Sequence, residues 1–149
     1  EDGIRGVERS RGLGDVYKRQ TYAQQMLDSV EPNSLIVVRA DRPTFALWYA
    51  VYAEGKGSDV AVVSGPMLAF IWYRTHVRRL YRDLSIREPY VTEDVTTDDL
   101  VRELIMANQD RRPLYATDPK ESWAAWADFV ERKGPIYRVL PKEQKEPGG

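Results

Sequence analysis

The chain has no cysteine, which removes disulfides, thiolate nucleophiles, iron–sulfur clusters and cysteine-ligated zinc in one step. It has one histidine, His76. A Ser–His–Asp arrangement would have to form around that residue, and nothing near it resembles a G-x-S-x-G nucleophile elbow. His76 lies among Arg74, Arg78 and Arg79 and reads as a solvated surface residue. With one histidine and no cysteine, neither a zinc site nor any other metal or cofactor is expected. Long apolar runs are also missing. Thr44–Ala53 is stopped by Glu54 and Gly65–Tyr73 by Arg74, whereas a spanning helix needs about 20 apolar residues. Nor does charge of one sign dominate: 22 basic residues face 23 acidic ones, for a formal charge of -1. No strong net field steers such a chain to an anionic membrane surface or to nucleic acid, so nucleic acid is not expected as a partner.

What is present fits a globular domain. A chain of 149 residues with 42% hydrophobic and 30% charged residues has the length of about one domain and enough apolar material for a core. The first twenty residues stand apart. They mix glycines with charges, show no apolar periodicity, and lack the apolar stretch of a signal peptide. Asp15-Val16-Tyr17-Lys18-Arg19-Gln20 reads as the translation of GAT GTG TAT AAG AGA CAG, which resembles the end of a transposase adapter used in sequencing libraries. The expectation is a non-native or disordered segment over 1–20, as in a bacterial metagenomic assembly fragment, a single α/β domain over 21–141, and a flexible Pro/Gly-rich tail over 142–149.

From Thr21 onward the pattern alternates. Tyr22, Met26, Leu27 and Val30 fall at helical spacing, and Glu31-Pro32-Asn33 supplies turn chemistry. Leu35–Val38 is a continuous β-branched-rich run, as expected of a strand covered on both faces. Asp41 is placed to cap the next helix, with Pro43 in its first turn and Phe45, Trp48, Tyr49 and Tyr52 on one face. Gly55 and Gly57 end it. Asp59–Ser64 is a second buried-type strand. Gly65-Pro66 opens a longer helix through about Leu84, and Pro89–Thr92 suggests a short strand. Thr96 with Asp99 forms a capping-box signal before Leu100, Val101, Leu104 and Ile105. The carboxylate pairs Glu93-Asp94 and Asp98-Asp99 then read as partners of that helix's dipole. Pro113–Thr117 reads as a strand. Asp118-Pro119-Lys120-Glu121 starts a helix carrying Trp123, Trp126, Ala127 and Val130 inward, stopped by Gly134-Pro135, and Ile136–Leu140 is a last strand. Trp48, Trp72, Trp123 and Trp126 all fall on expected core faces.

Strands alternating with helices predict an α/β fold: a mostly parallel sheet of four or five short strands with helices on both faces, three layers. The arrangement is Rossmann-like without the dinucleotide fingerprint, because the turn after the first strand is Ala40-Asp41-Arg42-Pro43, with neither G-x-G-x-x-G nor a Walker lysine. Open parallel sheets bind ligands outside the carboxyl ends of their strands. The candidate crevice is therefore Asp41, Arg42 and Thr44, then Ser64 and Gly65, then Thr117 and Asp118. The same residues also serve as helix caps and turn formers without any ligand, and no catalytic residue is assigned.

Several stretches carry a resemblance. They are Asn33-Ser34-Leu35-Ile36-Val37-Val38 with Asp41 and Thr44-Phe45-Ala46-Leu47-Trp48-Tyr49, then Asp59-Val60-Ala61-Val62-Val63, then Met67-Leu68 with Trp72-Tyr73, and finally Gly134-Pro135-Ile136-Tyr137-Arg138-Val139-Leu140-Pro141. Together they resemble the soluble region of the membrane family called domain of unknown function 2723, relatives of transmembrane protein 260. Ser58 stands where that pattern has Pro, and Ile71 where Asp is common. The resemblance implies a parent in the cell membrane, multi-spanning and related to lipid-linked-sugar-dependent glycosyltransferases. The catalytic loop of that parent would lie outside this fragment. This domain would be an extracytoplasmic accessory unit aiding recognition of a protein or glycan acceptor, with the membrane-embedded part of the same chain as its partner. The alternatives are a stand-alone α/β ligand-binding module or small enzyme using the strand-end crevice, and a protein-interaction scaffold.

Overall fold

The structure, a computed structural model, describes residues 22–40, 46–87 and 95–142. Helix α1 spans 22–28 and leads to strand β1 (Leu35–Val38). Helix α2 begins at 46–48 and continues as a π-helical turn, Tyr49–Ala53. Strand β2 (Ala61–Ser64) is followed by a 3-10 turn (Pro66–Ala69) and helix α3 (Ile71–Leu80). Helix α4 (Thr97–Asn108), strand β3 (Leu114–Thr117), a second 3-10 turn (Glu121–Ala125) and the hairpin of β4 (Ala127–Lys133) and β5 (Ile136–Pro141) complete the order. The expected cap at Asp41, Pro43 and Phe45, the strand at Pro89–Thr92, and the segments before 21 and after 142 lie outside the described residues.

The strands form one five-stranded sheet in the order β2-β1-β3-β5-β4. β1 pairs in parallel with β2 and β3. Every residue of β1, β2 and β3 is buried, because successive side chains alternate between two covered faces. Leu35, Val37, Ala61, Val63, Leu114 and Ala116 pack with Tyr73 and Val77 of α3 and with Leu100, Val101, Leu104 and Ile105 of α4. Ile36, Val38, Val62 and Tyr115 pack with Ala23 and Met26 of α1 and Ala46, Leu47 and Ala50 of α2. Helices thus cover both faces of the sheet.

The sheet is mixed, not mostly parallel. β5 runs antiparallel to both β3 and β4. The cause is residues 127–133, expected as a helix and found as a strand. Ala127, Glu131, Arg132 and Lys133 are compatible with helix, but the segment gains a ladder to β5, and pairing overrides so weak a preference. Gly134, at φ 60°, is the turn of that hairpin and not a helix stop. Glu131, at φ 50°, marks the irregularity between Val130 and Lys133 in the ladder. The helix expected to start at Asp118 is only the 3-10 turn. Its cap position is Lys120, which makes no capping hydrogen bond.

Two further expectations are corrected. The helix expected from Gly65 through about Leu84 is broken at Phe70, which is extended (φ -93°, ψ 128°). The buried Arg74 donates from Nη1 to Leu68 O at 2.6 Å, satisfying a carbonyl of the preceding 3-10 turn. Among the described side chains of α2, Ala46, Leu47 and Ala50 are buried and Trp48 is half-buried, while Tyr49 of the expected face is exposed. By contrast, Thr96 and Asp99 form the expected capping box: Asp99 N donates to Thr96 Oγ1 at 3.1 Å and Thr96 N to Asp99 Oδ2 at 3.2 Å.

The open edge of β2 is capped by tyrosines. Val62 N donates to the Tyr81 hydroxyl (3.3 Å) and Ser64 N to the Tyr73 hydroxyl (2.8 Å). These bonds satisfy amides that an edge strand would otherwise leave unpaired, and they fasten α3 to the sheet. Burial pushes the Tyr73 phenol up to about 12, although its bond to Ser64 pulls the other way.

Candidate functional site

The parallel strands β2, β1 and β3 end on the same edge of the sheet. The chain leaves β1 toward α2 on one face and leaves β3 toward the Trp123 turn on the other. Adjacent strands whose connections diverge in this way open a crevice between them. A cleft of about 390 Å³ lies here, walled by Arg39 after β1, Gly65 and Pro66 after β2, Thr97, Asp98 and Val101 at the start of α4, and Lys120 and Trp123 after β3. Gly65 packs closely: a Cβ there would meet Val101 Cγ2 at 3.1 Å, so that methyl would have to shift by a few tenths of an ångström. Its amide continues the β1–β2 ladder by donating to Val38 O at 2.8 Å.

Asp98 organises one wall. Its Oδ1 accepts from Lys120 Nζ at 3.0 Å and from Trp123 Nε1 at 3.3 Å, and Ser122 Oγ lies 3.5 Å from Oδ2. The Lys120 ammonium holds the Asp98 carboxyl below the usual carboxylate range, with the Trp123 and Ser122 bonds adding to it against desolvation. On the other side Arg39 Nε donates to Asp118 O at 2.7 Å. The cleft therefore presents two cations, one carboxylate and an indole. The charged groups can hydrogen-bond a polar ligand.

Of the residues expected at the strand ends, Gly65 lines this cleft. Ser64 is buried, and its Oγ accepts from Met67 N at 3.4 Å, a turn-forming role. Thr117 is fully buried opposite Ile136. Asp118 is exposed at φ 49° and contributes its carbonyl, not its carboxylate. Asp41, Arg42 and Thr44 lie outside the described residues. Sequence reasoning missed Arg39, Thr97, Asp98, Lys120 and Trp123. It read Asp98 with Asp99 as a partner of the helix dipole, whereas only Asp99 closes the capping box. A charged residue directly after a buried strand, as Arg39 is, was the signal that could have been used. Among the described residues no three His, Cys, Asp or Glu side chains cluster as a metal ion would require.

A second concavity, about 480 Å³, lies between α3 and the β2 edge, with Trp48, Met67, Trp72, His76 and Leu80 among its walls. The tryptophans do not behave alike. Trp123 is buried as expected and Trp48 and Trp126 are half-buried, but Trp72 is 60% exposed, against the expectation of a core position. His76 is exposed, as its charged surroundings suggested. Among the described residues no helix is long and apolar enough to cross a membrane.

Residues 19–90 match the family model described as TMEM260-associated domain 2. The chain is 36% identical over 58 residues to a mouse (Mus musculus) protein, protein O-mannosyl-transferase TMEM260; the match covers 39% of this chain and 8% of that relative. No solved structure matches the chain. The matched residues hold β1, α2, β2 and α3, and with them Arg39, Gly65 and the exposed Trp72. This chain carries a TMEM260-like domain.

Proposed function

We propose that this chain is a water-facing, extracytoplasmic accessory domain of a multi-spanning membrane glycosyltransferase-like protein. In this reading the strand-end cleft helps recognise a protein or glycan acceptor, and the chemistry belongs to the membrane-embedded part of the same polypeptide. One observation carries the reading: the cleft is lined by the hydrogen-bonding groups Arg39, Asp98 and Lys120. Asp98 is engaged by Lys120 and Trp123 and held ionised, which suits it to accepting hydroxyl or amide donors. Trp123 is buried behind Asp98 and holds that carboxylate in place from Nε1. The match to a domain of a relative named as an O-mannosyl-transferase supplies the ligand class, a hydroxyl-bearing peptide or a mannoside.

The test is a titration of the isotopically labelled chain with Ser/Thr-rich peptides and with methyl mannoside, followed by NMR. Signals of Arg39, Lys120 and the Trp123 indole are expected to shift together, with a Kd around the millimolar range typical of small polar ligands. Lys120→Met is expected to abolish the shifts while leaving the fold intact. Shifts confined to other surfaces, or none at all, would remove the cleft from the proposal.

A further inference from the structure

We infer that the exposed face of α3 is a docking surface for a lipid bilayer with anionic headgroups. Four of the six large hydrophobic residues exposed among the described residues sit on this one element or its first turn: Phe70 at 53%, Ile71 at 43%, Trp72 at 60% and Leu80 at 41%. Trp72, His76 and Leu80 recur every four residues and form one ridge, and Phe70 stacks on Trp72 with ring centroids 6.1 Å apart. The opposite side of the helix is committed: Tyr73 and Val77 are buried, and the Tyr73 hydroxyl is bonded to Ser64 N. The apolar ridge is therefore held outward by the fold and cannot turn in to join the core.

Charge identifies the occupant. Residues 70–82 contain no acidic residue, and with Arg74 buried against Leu68 O they bring Arg78, Arg79, Arg82 and His76 to the surface. The first carboxylate after them, Asp83, is taken up by Arg112 at 2.8 Å. In a chain whose formal charge is -1, this is local segregation of positive charge beside exposed aromatics. Arg78 and Arg79 in the last turn also complement the helix dipole. That role does not account for Phe70 and Trp72, which are 53% and 60% exposed. Aromatic rings at the surface of a short helix, followed by clustered guanidiniums, match the headgroup boundary. There Trp and Phe enter the interfacial layer while arginines meet phosphates. A protein partner suited to the same face would need a matching cluster of carboxylates, and a second copy of this chain would bring arginines against arginines.

The experiment is co-sedimentation of the full chain with vesicles of phosphatidylglycerol mixed with phosphatidylcholine, and with vesicles of phosphatidylcholine alone. Binding is expected on the mixed vesicles and about tenfold weaker on the neutral ones. The Phe70→Ser/Trp72→Ser pair and the Arg78→Gln/Arg79→Gln pair should each lower it by about tenfold. Circular dichroism reports whether each variant is folded, and the arginine pair stands as the test if the aromatic pair is not. Absence of binding, equal binding to both vesicle types, or binding untouched by the variants would overturn the inference. So would a dimer seen by light scattering that Trp72→Ser dissolves, since the occupant would then be a second copy. None of these substitutions touches Arg39, Asp98, Lys120 or Trp123, so the acceptor cleft stands or falls separately.

Discussion

In β1, β2 and β3 every residue is buried, whereas β4 buries only Ala127 and β5 only Ile136 and Val139. The parallel half of the sheet is thus held by apolar surface removed from water on two faces, worth roughly 25 cal/mol per Å². The antiparallel half is held mainly by its ladder and by surface pairs, such as Arg132 over the Tyr137 ring at 5.5 Å. Two different kinds of cohesion meet along β3, which pairs with β1 on one side and β5 on the other. The difference predicts where substitutions will hurt. Ile36→Ala, at a fully buried position of β1, should lower unfolding free energy by about 2–5 kcal/mol in urea denaturation. Leu140→Ala, 45% exposed on β5, should change it by no more than about 0.5 kcal/mol. Comparable losses at the two sites would erase the distinction.

The parallel half is also fastened by polar side chains, Arg112 among them. Arg112 makes a two-pronged bond to Asp83 (Nε to Oδ2 at 2.8 Å, Nη2 to Oδ1 at 2.9 Å) and donates from Nη1 to Asp59 O at 2.9 Å. A further, longer contact reaches Ser34 O at 3.4 Å. It thereby ties the loop after α3 to the starts of β1 and β2, and its side chain is only 11% exposed. Arg112→Ala should cost about 2–3 kcal/mol, because truncation removes a two-pronged charge-assisted pair together with the bond to Asp59 O. Arg112→Lys should recover little, since an ammonium cannot reproduce the planar fork. Full recovery by lysine would reduce the fastening to simple charge.

The hairpin offers a sharper, smaller probe. Gly134 has φ 60° with open space around its Cα, so Gly134→Ala meets only backbone strain, about 1 kcal/mol, and Gly134→Asn less. A glycine ending a helix would show the same cost, so the energy alone does not identify the turn. Phe129 faces Val139 across the ladder, and an NMR contact between their backbone protons belongs to the hairpin alone. Its absence from the wild-type spectrum would return 127–133 to a helix.

Legibility in the sequence followed the same divide. β1, β2 and α4 were readable because their signals are local: unbroken β-branched runs, and a Thr96–Asp99 box placed before Leu100, Val101, Leu104 and Ile105. Ala127–Lys133 was misread because Trp123, Trp126, Ala127 and Val130 happen to fall at helical spacing, while the partner that makes the segment a strand lies beyond the turn in β5. Trp72 falls on an expected core face, whereas the bonds of Tyr73 and Tyr81 to β2 and the burial of Val77 turn that side of α3 outward. The location of a crevice at the strand ends followed from topology, but its walls did not. The Asp98–Lys120 pair spans 22 positions and exists only once β3 and α4 are docked.

That pair gives the smallest effect and the cleanest sign. Lys120 Nζ and Asp98 Oδ1 are 3.0 Å apart with side chains 40% and 37% exposed, so water and salt screen the attraction and its contribution to stability should be less than about 1 kcal/mol. The Lys120 bond lowers the folded-state pKa of Asp98 from its ordinary 3.8. A depressed acid contributes stability that is fully present above its unfolded pKa and is lost as pH falls through the folded one. The wild type should therefore exceed Asp98→Asn in stability by a constant small margin from neutral pH down to about pH 5. The margin should shrink below about pH 4 and vanish once Asp98 is protonated and carries the same charge as asparagine. Asp83 titrates in the same range, lowered by its bond to Arg112, but it is present in both proteins and cancels in the difference. Added salt should narrow the neutral-pH margin as well. A margin that persisted at pH 2, or ignored salt, would mean that the shape of the carboxylate and its bond to the Trp123 indole matter more than its charge.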